Sequence, residues 1–462
     1  MEAFRHALRR LGTAPAAYGS GTAEPAPDHP FSALYLLHSG GLGGASRAAV
    51  ELCRQLVAHD VELRVVVADD ATGLVPELIA TGAEVVLAEP RLSWWTIETD
   101  DSSLVASGRD VRFDSDSTAR IVGELRERPA DLIITQSGVI PHGAYAAAAL
   151  DLPHVWMVAE VGDPDHGASL PFAGDDLGAV LDVLSDLVVA PSEFVQGWLG
   201  LSRDRTLIVP PPIDGTGLTG IPPVAMHPGV IRVASIGSLA SAKGHTDVIA
   251  GLATLVPDHE VQLRITGEGT AEQFADLERC IADLAMTGRV TIDPPTPDRR
   301  ALYADADVVV VASRNEAFGL VVHEAALAGR PVVYAASGGV AETMTDGVTG
   351  LAFEAGDVAT LTLNVRRLVE DETLRERLVR SARAAAVARI NDPGPFRLLW
   401  DQLERLAHEG ARNDVTRELI GGIVRTAVVG REESAVLAWR LDALLERRVV
   451  RVGLRLAALL RR

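Results

Sequence analysis

The chain has 462 residues, a formal net charge of −20 and 47 % hydrophobic residues. Such a length predicts about two to three domains with well-filled cores, and the acidic balance excludes general binding to nucleic acid. The two cysteines, Cys53 and Cys280, lie in predicted helices far apart in the chain, which argues against a disulfide framework or a cysteine metal site and suits a reducing cytoplasm.

Residues 1–29 open with Arg5, Arg9 and Arg10 and then turn rich in Ala, Gly and Pro, as expected of a poorly ordered tail. Met1 to Ser20 lacks the continuous apolar core of a signal peptide, and no apolar run approaches the ~20 residues that span a bilayer. Folding is expected from Phe31 to His38, a buried strand that runs into a glycine-rich loop, Ser39 to Gly44, and a helix from about Ala45 to Ala58. Strands at Glu62–Ala68, Glu84–Leu87, Asp131–Thr135, Pro153–Ala159 and Asp186–Ala190 then alternate with helices, the signature of a doubly wound parallel sheet. A long polar insertion between Glu89 and Asp116 carries Trp94 and Trp95, suited to stacking on a sugar or lipid-like acceptor or to plugging the domain. The run from Glu160 to Gly167 gathers carboxylates and His166, but its Asp-Pro and His-Gly steps are turn chemistry rather than a metal site. Thr206 to Val209 closes a domain spanning 30–213, and a Pro- and Gly-rich stretch over 214–229 reads as a linker.

A second domain, 230–395, begins with the strand Val230–Ile236 and the loop Gly237 to Gly244, which contains Ser238 and Lys243. Val261–Thr266 leads into Gly267-Glu268-Gly269, and Val290–Asp293 ends at Pro294-Pro295. Val308 to Ala312 is short and β-branched, which predicts a strand buried on both faces, and the apolar run Leu320 to Ala328, stopped by Gly329 and Pro331, predicts a helix. The loop between them sits at the carboxyl end of a parallel strand and opens a helix N-terminus, a combination suited to phosphate. Glu316 in that loop and Glu324 in the helix frame the anion site, and carboxylates accept hydrogen bonds from hydroxyls. Together they point to a ligand carrying phosphate and sugar. Helices follow from Val358 to about Arg389, with a return helix expected over 396–411 and an extension over 412–462. In its last turns Arg447, Arg448, Arg451, Arg455, Arg461 and Arg462 accompany Val449, Val452, Leu456 and Leu459 at helical spacing. That pattern suits either an anionic membrane surface or packing against the protein.

Glu316-x7-Glu324 with Phe318-Gly319-Leu320 inside it, and Gly329-Arg330-Pro331 after it, resembles the donor-site motif of retaining nucleotide-sugar glycosyltransferases of the GT-B fold, family 4. Gly40-Gly41, Pro210 to Asp214, Gly237 with Lys243-Gly244, Gly267-Glu268-Gly269 and Ser337-Gly338-Gly339 fall in the order of similar elements in that family, and the likeness runs from about Leu34 to Ala388. The resemblance implies two Rossmann-like domains facing a cleft; the helical C-terminal extension lies outside it. It implies transfer of a sugar from a nucleotide diphosphate sugar to a glycan, lipid-linked or small-molecule acceptor, with retention of configuration and without a metal or other cofactor. On this reading Gly40, Gly41, Ser238, Lys243, Phe318, Gly319, Leu320 and Glu324 bind the donor, Lys243 and Glu316 take part in the chemistry, and Glu160 is the first acceptor-side candidate with His166 second.

The chain departs from the family's pattern twice. Ser238 stands where an Arg commonly helps Lys243 neutralise the diphosphate, and Ala159 stands where many members place a His. A GT-B epimerase or phosphorylase, or a non-catalytic nucleotide-sugar-binding scaffold, therefore stays open beside the transferase. The expected location is cytoplasmic, with residues 447–462 as the contact to the inner face of a membrane.

Overall fold

A computed structural model describes residues 30–68, 73–88, 92, 115–161, 175–222, 226, 229–412 and 415–429. Among the described residues thirteen strands divide into two sheets. The first holds β1 (Ser32–Leu37), β2 (Glu62–Val67), β3 (Glu84–Leu87), β4 (Leu132–Gln136), β5 (His154–Met157), β6 (Leu187–Ala190) and β7 (Thr206–Ile208), in the order β3-β2-β1-β4-β5-β6-β7. The second holds β8 (Val230–Ile236), β9 (Glu260–Thr266), β10 (Val290–Asp293), β11 (Val308–Val311), β12 (Val332–Ala335) and β13 (Leu351–Phe353), in the order β10-β9-β8-β11-β12-β13. Every pairing between these strands is parallel. Both sheets are the doubly wound kind expected from the alternation in the sequence.

The period of two explains how one strand serves two cores. In β1, Leu34 and Leu36 join a cluster under the helices Ser115–Glu127 and His142–Leu150, while Ala33, Tyr35 and Leu37 join the cluster on the other face, under the helix Gly44–Ala58. A strand covered on both sides has no polar face to show, which is why β4, β6 and β11 are buried along their whole length.

Each sheet reverses its order once, between β1 and β4 in the first and between β8 and β11 in the second. Loops leaving the carboxyl ends of strands at such a reversal splay apart and leave a crevice. The loops after β1, β8 and β11 are the ones singled out in the sequence, so topology alone brings them to the faces that line the cleft.

Two connections differ from the sequence reading. Leu218 and Ile221, within the expected linker, are buried in the core of the second domain with Tyr303 and Val322. The helix His142–Leu150 was not expected, because its run of alanines has no polar face to give it a period. The return helix spans Gly394–Glu409 and lays Leu399, Leu403 and Leu406 into the first domain, where Trp400 lies 5.4 Å from Phe31, ring centre to ring centre.

The segment beyond it is not a simple surface appendage in its first part. A helix, Val415–Val429, inserts Ile420 and Val424 into the first domain's core. Gly421 makes this approach possible, because a Cβ there would stand 2.1 Å from the carbonyl oxygen of Ala148. Arg417 is tied to Asp186 by an ion pair whose side chains are 3 % and 1 % exposed, and it also donates to the Leu152 carbonyl. Residues 447–462, Trp94, Trp95 and His166 lie outside the described residues; Leu92, beside the tryptophans in sequence, is buried in the first domain's core. Cys53 and Cys280 are free thiols. No helix among the described residues is long and apolar enough to cross a membrane.

Candidate functional site

A cleft of about 380 Å³ opens between the two sheets. Its walls come from the carboxyl ends of strands in both domains, including Leu42, Gly43, Gly44 and Arg47 on one side and Ser238, Lys243, Glu316 and Glu324 on the other. The domains also touch directly. Ser192 Oγ donates to the Ala317 carbonyl at 2.7 Å, and the Glu342 carboxylate accepts from the backbone N–H of Glu193 at 3.0 Å and of Phe194 at 2.6 Å.

The loop after β11 and the helix it opens bring Glu316 and Glu324 to the cleft. Gly319 adopts φ +85, and a Cβ at this position would lie 2.3 Å from Val340 Cγ2, so the tight turn into the helix Leu320–Leu327 needs glycine. That helix begins with no side-chain cap, which leaves its first N–H groups and its dipole facing the cleft. Phe318 is buried behind the loop, stacked on His323 at 5.0 Å and covered by the Arg389 guanidinium at 5.7 Å. Burial, with Arg389 nearby, holds the His323 imidazole down to about 3.

Lys243 sits in a short turn of 3-10 helix, Ser241–Lys243, ended by Gly244 in the left-handed region at φ +67. A Cβ on Gly244 would meet the Ala312 carbonyl oxygen at 2.3 Å, so this glycine lets the β8 loop lie against the end of β11. The arrangement brings Lys243 Nζ to 2.7 Å from Glu316 Oε2, with the side chains 18 % and 20 % exposed. His245 buttresses the same turn: its Nδ1 lies 2.9 Å from Ser235 Oγ and its Nε2 lies 3.0 Å from the Ser238 carbonyl. Burial is the main reason its imidazole is held down to about 4, with Lys243 adding to it.

Glu324 is set into a network that spacing could not reveal. Its Oε2 accepts from the Tyr303 hydroxyl at 2.7 Å and its Oε1 from Arg299 Nη1 at 3.2 Å. Arg299 in turn donates to Asp214 Oδ2 at 2.5 Å and to the Asp214 carbonyl at 2.8 Å. Burial first, then the neighbouring carboxylate, pushes the Tyr303 hydroxyl well above its ordinary range, so it remains a proton donor to Glu324.

Ser238, Lys243, Glu316, Phe318, Gly319, Leu320 and Glu324 therefore all line one cleft. Gly40, Gly41 and Glu160 are not among its lining residues. In the glycine-rich loop it is the second half, Leu42 to Ala45, that faces the cleft, while Gly41 N–H is turned to Ser39 Oγ at 2.9 Å. Ala159 does line it, but the Glu160 carboxylate turns back to accept from Ser137 Oγ at 3.0 Å and from the Gly138 N–H. Burial raises that carboxyl above the usual carboxylate range, opposed by the same hydrogen bonds. Arg47, Arg299, Tyr303 and Asp214's carboxylate are site groups that the sequence reading missed. Among the described residues no group of three or more His, Cys, Asp or Glu is placed to hold a metal ion.

Residues 227–385 match the family model described as Glycosyl transferases group 1. D-inositol 3-phosphate glycosyltransferase of Nocardia farcinica is 33 % identical over 174 residues, 35 % of this chain and 39 % of the relative. Glycogen synthase of Mycobacterium tuberculosis is 28 % identical over 377 residues, 74 % of this chain and 86 % of the relative. The chain spans between 35 % and 48 % of the length of the first four curated relatives it matches. Among solved structures, Anabaena HepE in complex with UDP-glucose superposes with a TM-score of 0.66 at 22 % identity, covering 81 % of this chain and all of the other. That likeness extends over both domains and identifies the architecture as GT-B. The chain thus has the GT-B architecture, and its residues 227–385 match the Glycosyl transferases group 1 family model.

Proposed function

We propose that this chain is a glycosyltransferase that moves a sugar from a nucleotide diphosphate sugar to an acceptor, with retained configuration and without a metal. The observation that carries the reading is the convergence of Lys243, Glu316, the uncapped helix at Gly319 and Glu324 on one interdomain cleft. The family match and the nucleotide-sugar complex of HepE support it.

The chemistry follows from what each group can do. The helix N-terminus and Lys243 favour negative charge, and charge grows on the diphosphate as the sugar leaves in an oxocarbenium-like transition state. Glu316 pairs with Lys243 at the cleft wall. Both side chains reach the cleft wall, where the lysine can turn from Glu316 to an entering phosphate. Glu316 is then released to accept from sugar hydroxyls and to counter positive charge at the anomeric carbon. Glu324 keeps one lone pair on each oxygen for ribose hydroxyls. Glu160 holds the Ser137–Gly138 turn beneath the acceptor side. The acceptor is a glycan, a lipid-linked molecule or a small molecule. Residues 447–462 are assigned to the inner surface of an anionic membrane, and the protein to the cytoplasm.

The test is to incubate purified protein with UDP-, GDP- and ADP-glucose and follow release of nucleotide. Slow hydrolysis of one donor, lost in Lys243→Ala and Glu316→Ala, is expected. Binding without turnover would support a scaffold, and neither binding nor turnover would remove the nucleotide-sugar reading.

A further inference from the structure

The charged side chains that line the cleft are Arg47, Lys243, Arg299, Glu268, Glu316 and Glu324, three cations against three carboxylates. Lys243 can meet a diphosphate by leaving Glu316, but a ligand carrying more than one negative charge calls for a second cation in a site so balanced. Lys243 faces Glu316, and Arg299 is shared by Asp214 and Glu324. Arg47 differs. Its Nε donates to the Leu42 carbonyl at 2.9 Å and its Nη2 to the Thr296 carbonyl at 3.1 Å, and among the described residues it has no carboxylate partner. Carbonyl oxygens orient a guanidinium without cancelling its charge, and two bonds leave the rest of its five donors for an anion.

The two carbonyls come from different domains. Leu42 belongs to the glycine-rich loop after β1, and Thr296 to the loop after β10, so Arg47 reaches across the cleft mouth at the base of the helix Gly44–Ala58. Its position is fixed when the domains stand as they do here. On the opposite wall, Ser238 offers only a neutral hydroxyl where the resembled family commonly has an arginine.

We propose that Arg47 is the second diphosphate-binding cation of this cleft, supplied from the first domain to a donor held on the second. The inference rests on the nucleotide-sugar reading and adds to it a cation on the far wall. It also ties donor binding to domain closure, since the guanidinium is aimed by a carbonyl of the domain that holds the donor.

Calorimetric titration of wild type and Arg47→Gln with UDP, GDP and ADP, each beside its own nucleoside, tests this. With whichever diphosphate the wild type binds, Arg47→Gln should lose about ten- to a hundredfold in affinity, while nucleoside affinity stays within about twofold. The unchanged nucleoside affinity also shows that the variant is folded. An equal loss for nucleoside and diphosphate, or no loss for either, would overturn the proposal and leave Arg47 as an interdomain tie. If Lys243→Ala weakens the diphosphate and Arg47→Gln does not, the nucleotide-sugar reading stands and the role of Arg47 falls. A wild type that binds none of the three diphosphates refutes both.

Discussion

Replacing Glu324 by Gln separates the charge of this carboxylate from its shape. Each oxygen already takes one protein donor, Arg299 Nη1 at 3.2 Å and the Tyr303 hydroxyl at 2.7 Å, and the residue is 8 % exposed at the cleft wall. A glutamine amide can keep both contacts: its oxygen accepts from Arg299, and its NH2 donates to the Tyr303 oxygen. Arg299 also retains Asp214 at 2.5 Å, so no buried cation is stranded and the fold should survive. The ribose hydroxyls lose a charged acceptor. Hydrogen bonds to charged groups contribute about 1.5–3 kcal/mol and neutral ones about 0.5–1.5, so the difference is about 1–2 kcal/mol, roughly five- to thirtyfold in Kd. The assay is calorimetric titration of the nucleoside diphosphate that wild type binds best, against its 2′,3′-dideoxy form. Wild type should prefer the ribonucleotide, and Glu324→Gln should lose most of that preference. A variant with an unchanged thermal transition that still discriminates as wild type does would refute a contact between Glu324 and the ribose.

Lys243→Ala should lower kcat far more than Ser238→Ala in a donor-hydrolysis assay, because only the lysine brings charge to the leaving group; equal, small effects would place the cation elsewhere. Stability should fall on acidification from about pH 6.5 towards pH 4. His245 and His323 are held down to about 4 and about 3, so the unfolded chain takes up protons first, at about 1.4 kcal/mol per pH unit for each histidine. Urea midpoints that match at pH 7 and pH 5 would contradict this. Deleting residues 447–462 should leave hydrolysis of free donor intact and weaken binding to acidic liposomes by about 1 kcal/mol per surface arginine lost, an effect that salt should mimic. A lower melting temperature with unchanged liposome binding would mean instead that the segment packs on the protein.

The parts of the fold legible in the sequence are those where burial leaves a one-dimensional trace. Strands such as Val308–Val311 are covered on both faces and read as unbroken apolar runs, and Gly319 and Gly244 mark turns that no other residue fits. The grouping of Lys243, Glu316 and Glu324 was legible chiefly through the resemblance, since their spacing alone does not separate them from chance. Arg47 and Arg299 were not. An arginine on a helix looks the same in sequence whether it faces solvent or a cleft, and only the folded partners, Thr296 for Arg47 and Asp214 with Glu324 for Arg299, distinguish the cases. The glycine-rich loop misled in a related way: its two glycine pairs are equivalent as text, and it is Gly43-Gly44 that the chain turns towards the cleft. A helical C-terminal extension was expected, but not the docking of Val415–Val429 on the first domain, because that packing runs through Gly421 on alanines, a contact that apolar periodicity does not mark.

That last helix sets an order for synthesis. The second domain contains every strand of its own sheet between Val230 and Phe353, and its covering helices are made by Ile390. The first domain begins near residue 30, yet it lacks the return helix until Glu409 and the Ile420–Val424 layer until the chain has passed Val429. The half that leaves the ribosome first is thus completed last, with the face around Ala144 and Ala148 uncovered and Asp186 without Arg417 while the second domain is assembled. A chain stopped after residue 411 should expose that face, bind a hydrophobic dye and melt earlier than the whole protein; a truncated chain as stable as the full one would show that the first domain can close without its final helix.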